Sequence, residues 1–258
     1  MITVRDVENA LFDWAPRELA VDWDNVGHLV GEPEAEVQKV LIALDITEAV
    51  VAEALEIGAD LIVAHHPVMN CRWHEVQRIR SDDAQGRILI GMIRGGISAI
   101  CMHTNLDAAD GGVNDALAEK LGLANLEMLN EEKIGRIGTL KSQLPLVEFV
   151  RFVVESLGCN GLRYVDNGKA VHRVAVGGGA CSGYISQAIA MGCDTFVTSD
   201  LKYNDFLDTH EINLVDAGHF PTENVVCPVL TAFLRKQFPE LTVVQSTAHS
   251  CEVIQYCI

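Results

Sequence analysis

Three short stretches of this chain place metal-binding side chains close together. They are His65-His66-Pro67, His103-Thr104-Asn105-Leu106-Asp107 and Asp216-Ala217-Gly218-His219-Phe220-Pro221-Thr222-Glu223. Imidazole with carboxylate suits zinc, iron, manganese, cobalt or nickel, whereas magnesium and calcium prefer oxygen alone. Each stretch follows an apolar run (61–64, 96–102 and 212–215) that reads as a strand. In open α/β sheets, ligands bind beyond the carboxyl ends of the strands. Adjacent histidines at a strand end are expected to point to opposite sides of the chain, which suits two neighbouring ions better than one. Candidate ligands are the histidines and carboxylates of these stretches, His65, His66, Asp107, Asp216, His219 and Glu223, with His103 also a candidate proton shuttle. A single histidine at a strand end more often serves structure, so the weight lies on three clusters at equivalent positions. His28, His74, His172, His210 and His249 lack such a setting and are expected to be structural or exposed.

The elements that must position these groups follow from capping and periodicity. Thr3 with Asp6 caps a helix over residues 5–14, with Val7, Leu11 and Trp14 at helical spacing. Residues 40–44 are all apolar and read as a central strand. Thr47 starts a helix whose apolar face is Val50, Val51, Ala54 and Leu55, and Gly58 ends it. With strands at 61–64 and 96–102 this makes βαβ units and a parallel sheet.

The second half repeats the first: residues 54–64 align with 188–198, an offset of 194 − 60 = 134 that matches apolar pattern, helix-stop glycine and following aspartate. The expected architecture is α/β. Two similar βαβ-containing lobes, residues 1–125 and 126–258, carry largely parallel sheets that face each other across a dinuclear metal cleft, with no inserted domain. Gly177-Gly178-Gly179 lacks the dinucleotide fingerprint and the P-loop lysine, so it reads as a tight turn. Asp110-Gly111-Gly112 reads as another turn, after which Asn114 is expected to cap the helix that ends at Gly122.

Bulk composition narrows the partners. Lys and Arg total 19 against 36 Asp and Glu, a formal charge of −17, which argues against general nucleic-acid or anionic-membrane binding. A cluster of metal ions reverses the field inside one pocket, so a small anionic substrate stays compatible with this surface. No stretch reaches the roughly 18 to 20 apolar residues of a membrane span. The N-terminus lacks the basic head and apolar core of a signal peptide, so the expected compartment is the cytosol. Eight cysteines are scattered with no Cys-x-x-Cys spacing and read mostly as small buried residues.

The blocks Val21-Asp22-Trp23-Asp24-Asn25-Val26-Gly27, His65-His66-Pro67, His103-Thr104-Asn105-Leu106-Asp107, Thr198-Ser199-Asp200-Leu201-Lys202-Tyr203 and Asp216-Ala217-Gly218-His219 with Thr222-Glu223 resemble the NGG-one-interacting-factor-three-like family, short form. Its bacterial members are often catalogued as GTP cyclohydrolase 1 type 2 homologs. The resemblance implies two divalent transition-metal ions in a cleft between two lobes, and a toroidal homohexamer with its sites facing the cavity. His65 and Asp107 would bind one ion, His66 and His219 the other, and Glu223 would bridge; Asp24 and Asn25 match a motif near the cleft without an assigned role. Two positions depart from the family pattern: His28, where an apolar residue is usual, and Asn204, where a histidine is usual.

Two functions suit this set. One is a dinuclear metal-dependent hydrolase whose metal-activated hydroxide attacks a nucleotide or related small anion, the catalogue name pointing to the guanine ring of GTP. The alternative is a non-catalytic metal-binding scaffold or protein-interaction module. Five ligands cannot close two four-coordinate shells, which favours the hydrolase.

Overall fold

The computed structural model describes residues 1–71 and 75–257, so the expectation for His74 falls outside the described residues. The chain opens with α1 (Val4–Trp14). Thr3 Oγ1 accepts from Asp6 N at 3.2 Å, and Asp6 Oδ2 accepts from Thr3 N at 2.8 Å, the reciprocal cap that the sequence predicts. There follow β1 (Gly27–Val30), β2 (Lys39–Ala43), α2 (Glu48–Ile57), β3 (Leu61–Ala64), α3 (Ala84–Gly95), β4 (Ser98–Cys101) and the five-residue α4 (Thr104–Ala108). Strands β2, β3 and β4 are parallel, joined by α2 and α3 in two successive crossovers, and β1 flanks β4 antiparallel. Leu41, Ile62, Val50, Val51, Leu89 and Met92 fill the core between helices and sheet.

The next segment builds a second sheet. It runs through α5 (Val113–Lys120), β5 (Ala124–Met128), β6 (Arg136–Leu144), α6 (Leu146–Leu157), β7 (Arg163–Val165), β8 (Val171–Val176), α7 (Ile185–Ala190), β9 (Thr195–Thr198), α8 (Tyr203–Asp208), β10 (Asn213–Asp216) and α9 (His219–Glu223). Its order is β5-β6-β8-β9-β10-β7. Only β8, β9 and β10 are parallel; β5, β6 and β7 run antiparallel to their neighbours, so this sheet is mixed rather than largely parallel. The reason is local. A short turn held by Asn130 Oδ1, which accepts from Ile134 N at 3.0 Å, joins β5 to β6, and so short a link fits only antiparallel strands. Phe149, Val153, Val174, Val197 and Val215 are buried in this core.

The chain then returns to its beginning. After α10 (Val226–Gln237), β11 (Thr242–Gln245) pairs parallel with β2 and satisfies what would otherwise be an open strand edge. Phe233 of α10 stacks on Trp14 of α1 at 4.7 Å. The two units are therefore residues 1–109 with 227–250, and residues 110–226 with 251–258, which differs from the expected division into 1–125 and 126–258.

The 134-residue repeat extends to individual hydrogen bonds. In the first unit Asp60 Oδ2 accepts from Gln38 N and Lys39 N; in the second, Asp194 Oδ2 accepts from His172 N and Arg173 N, the same two positions shifted by 134. The preceding glycines, Gly58 (φ 65°) and Gly192 (φ 75°), both end a helical turn in the left-handed region. Asn114 departs from its expected role. It lies inside α5, which has no side-chain cap, and its Oδ1 accepts from Gly178 N at 2.9 Å.

Cys71, Cys101, Cys159, Cys181, Cys193 and Cys227 are buried thiols, while Cys251 and Cys257 are exposed. Burial pushes the Cys101 thiol up to about 12 and those of Cys159 and Cys193 to about 11, which suits packing rather than nucleophilic chemistry. Among the described residues, no helix is long and apolar enough to cross a membrane.

Candidate metal centre

In the first unit the parallel strands all deliver polar groups at their carboxyl ends. Asp45 follows β2, His65 and His66 follow β3, and His103 follows β4 and leads into α4 with Asp107. The chain curls immediately after Ala64, so that both His65 N and His66 N donate to Leu44 O, at 3.2 and 3.0 Å. This curl ends the strand alternation, and the expected opposite orientation does not occur: the His65 and His66 rings lie 5.0 Å apart. The His103 ring is 5.1 Å from the first and 5.6 Å from the second. One nitrogen from each of the three lies within 4.8 Å of the others.

Every ring is oriented through Nδ1. His65 Nδ1 donates to Met102 O at 2.8 Å, His66 Nδ1 to Asp45 Oδ1 at 2.6 Å, and His103 Nδ1 to Asp24 Oδ1 at 2.9 Å. A carbonyl or carboxylate oxygen only accepts, so Nδ1 carries the proton and the lone pair of each neutral ring sits on Nε2. His65 Nε2 is 3.7 Å from Asp107 Oδ1. Burial favours a neutral Asp24, but hydrogen bonds from His103 and Thr104 outweigh it and hold the carboxyl at about 2. Asp45 is likewise kept well below the usual carboxylate range, burial being overcome by hydrogen bonds from His249 and His66.

The second unit repeats this pattern at its own strand ends. Asp200 follows β9 and the His219–Glu223 turn follows β10. His219 Nδ1 donates to Asp200 Oδ2 at 2.6 Å, and its Nε2 lies 3.0 Å from Glu223 Oε2, one helical turn on. Burial opposes charge on His219, yet Glu223 and Asp200 together raise it to about 11, so without a metal the ring holds both protons. A metal ion would take the place of the Nε2 proton. Two donors about 2.1 Å from one ion at right angles stand about 3 Å apart, so the His219–Glu223 spacing fits a shared ion.

The glycine turn after β8 makes room for this pair. A Cβ on Gly179 would stand 2.0 Å from Glu223 Oε1 and 3.2 Å from His219 Nε2, and Gly179 has φ +62°. Its backbone cannot withdraw, because Gly179 N donates to Thr222 Oγ1 and Gly179 O accepts from Thr198 Oγ1 and Ser199 N. Gly179→Ala is expected to cost about 1–2 kcal/mol of stability from the left-handed backbone alone and to push Glu223 aside. Urea unfolding and zinc titration would check this; unchanged values in both would refute it.

Asn204 is exposed on α8, and His28 sits in β1 opposite Ile100. His172 and His210 are exposed. His249, expected to be structural or exposed, donates from Nε2 to Asp45 Oδ2 at 2.7 Å with its side chain mostly buried. Asp45, Asp200 and His249 were not among the sequence candidates. For Asp200 the signal was present in the Thr198-Ser199-Asp200 block, and for Asp45 in its place after the first central strand.

The sequence description Duf34/NIF3 (NGG1p interacting factor 3) matches residues 2–252. The chain belongs to the DUF34/NIF3 family. It is 34% identical over 229 residues to the GTP cyclohydrolase 1 type 2 homolog of Clostridium perfringens, covering 85% of this chain and 86% of that protein. Among solved structures, a Bacillus cereus protein related to NIF3 superposes with TM-score 0.91 at 25% identity, over 99% of each chain. A Staphylococcus aureus hypothetical protein superposes with TM-score 0.89 at 28% identity, again over 99% of each. Within this family fold, the buried imidazoles and carboxylates described above form donor sets able to bind a metal ion.

Proposed function

We propose that this DUF34/NIF3 chain is a metal-dependent hydrolase. In this reading His65, His66, Asp107, His219 and Glu223 hold two divalent transition-metal ions. One observation carries it. All four clustered histidines, including His103, are fixed through Nδ1 by an oxygen acceptor, which is how metal-binding imidazoles are held in place. For three of them, His66, His103 and His219, that acceptor is a carboxylate, and for His65 it is the Met102 carbonyl.

When bound, such ions polarise a carbonyl or phosphoryl oxygen and lower the pKa of water toward ~7. The chain's own residues supply the rest. Asp107 and Glu223 place negative charge among the imidazoles and would set the net charge of the loaded site. Asp24, with Thr104 donating to it through N and Oγ1, keeps the His103 ring in one orientation. His103 then moves a proton at Nε2, toward or away from the reacting group. The substrate class is a small anion, and the names of the curated relatives make GTP the first compound to test. Assembly into a toroidal homohexamer, which analytical ultracentrifugation reads directly, and a cytosolic location belong to the same reading.

The experiment is elemental analysis of chain purified without chelator, followed by hydrolysis assays with GTP, phosphoesters and cyclic amides. Close to two first-row ions per chain with turnover of one substrate class is the expected result. A chain that carries none and takes up no zinc, iron, manganese or cobalt would end the proposal. Two ions without turnover would leave a metal-bound scaffold.

A further inference from the structure

The side chain of Asp45 receives two imidazoles, one on each oxygen. His66 Nδ1 donates to Oδ1 at 2.6 Å and His249 Nε2 donates to Oδ2 at 2.7 Å. Asp45 is otherwise the least enclosed member of this row, with 39% of its side chain exposed against 13% for His66 and 11% for His249. A half-exposed carboxylate held at one oxygen only is able to rotate about its side-chain bonds. A second donor on the other oxygen fixes its plane, and with it the direction in which the His66 ring is held.

The segment bearing His249 is itself built for this contact. Glu53, on the helix that starts just after Asp45, gathers it: Thr247 N donates to Glu53 Oε1 at 2.8 Å and Thr247 Oγ1 to the same oxygen at 2.7 Å, while Ala248 N and the Ser246 hydroxyl donate to Oε2. Ser246 Oγ then accepts from His249 N at 3.3 Å. One buttress on α2 thus fixes the turn, the turn fixes His249, and His249 reaches a residue 204 positions earlier in the chain.

We propose that His249 is a positioning residue for the metal centre, holding Asp45 so that Asp45 in turn holds His66 with Nε2 directed at an ion. The proposal rests on the reading that His66 is a metal ligand. It predicts that the His249 N–H, not the ring as packing material, is what the site uses. Removing an outer partner of a metal-bound histidine typically weakens binding 10–100-fold, and His249 acts one residue further out, so about tenfold is expected.

The test is zinc affinity of the chelator-stripped full chain, measured by competition with a chromophoric chelator, beside the melting temperature of the same stripped protein. His249→Ala is expected to bind one of two zinc ions about tenfold more weakly with its melting temperature near that of the parent. His249→Gln, which keeps an N–H donor at similar reach, is expected to stay within about threefold of the parent. Glu53→Ala, which releases the turn without altering Asp45 or His249, is expected to reproduce the alanine loss. Wild-type zinc affinity in His249→Ala would overturn the proposal. Equal losses in the alanine and glutamine variants would also overturn it, since packing would then be the cause. Failure of the parent chain itself to bind zinc would remove the metal reading, and the role of His249 with it.

Discussion

Glu223→Gln is expected to lower divalent-metal affinity at least about a hundredfold while the fold survives. The outer partners of metal ligands alone are worth 10–100-fold, so loss of a charged ligand exceeds that range. Glutamine has the shape of glutamate, and its carbonyl still accepts a hydrogen bond from the facing imidazole. What it lacks is charge. Glu223 is buried at the end of a five-residue helix with its carboxylate 3.0 Å from His219 Nε2, so that charge acts at short range and with little screening. The same substitution should lower the His219 pKa, because burial already opposes the charged ring and only Asp200 would remain to support it. Elemental analysis and zinc competition measure the first effect, and histidine NMR titration of the metal-free protein the second. Retention of wild-type metal content would take Glu223 out of the ligand set.

Asp24→Ala carries the largest expected cost in stability, about 3–5 kcal/mol, because several donors lose a buried charged acceptor at about 1–3 kcal/mol each. The Asp24 side chain is fully enclosed, and four donors converge on it: Asn25 N at 2.8 Å, His103 Nδ1 at 2.9 Å, Thr104 N at 3.0 Å and the Thr104 hydroxyl. Alanine leaves all four without this acceptor. His103 loses its orientation at the same time, so under the proposed hydrolase function turnover should fall by the roughly 10²–10⁴-fold typical of a lost general acid or base. The pH dependence has a definite sign. The folded-state pKa of about 2 lies below the ordinary 3.8, so Asp24 stabilises the fold above about pH 4. That contribution is lost as pH falls from about 4 to 2, where wild type and Asp24→Asn should converge in melting temperature. A loss under about 1 kcal/mol in Asp24→Ala at pH 7 would show that the network carries no such weight.

Much of the candidate centre was legible because its groups follow local rules. A run of apolar β-branched residues ending in His65-His66 announces both a buried strand and its carboxyl end, and Gly58 or Gly192 announces the turn before it. The 134-residue repeat was legible for the same reason, since both copies spell the same helix stop and the same strand-pinning aspartate. What escaped notice lies in contacts without periodicity. Asp45 and His249 meet across 204 residues, and nothing around Thr247 marks it as the anchor of a turn held by Glu53. Asn114 had the right type and place for a helix cap, but the demand of Gly178 N for an acceptor took its side chain instead. The return of 242–245 to the first sheet was invisible for a similar reason. Strand partners are chosen by open edges, and an edge is a property of the folded sheet.

That return has a consequence for how the protein is made. All strands of the second sheet lie within residues 110–226, an unbroken stretch that completes its hydrogen bonding as soon as it leaves the ribosome. The first sheet is started earlier but waits for its outermost strand until residue 245 has been synthesised. Until then the backbone of β2 presents an unpaired edge to solvent or to other nascent chains. The half translated first is therefore finished last, and the Asp45–His249 contact is among the final ones to form.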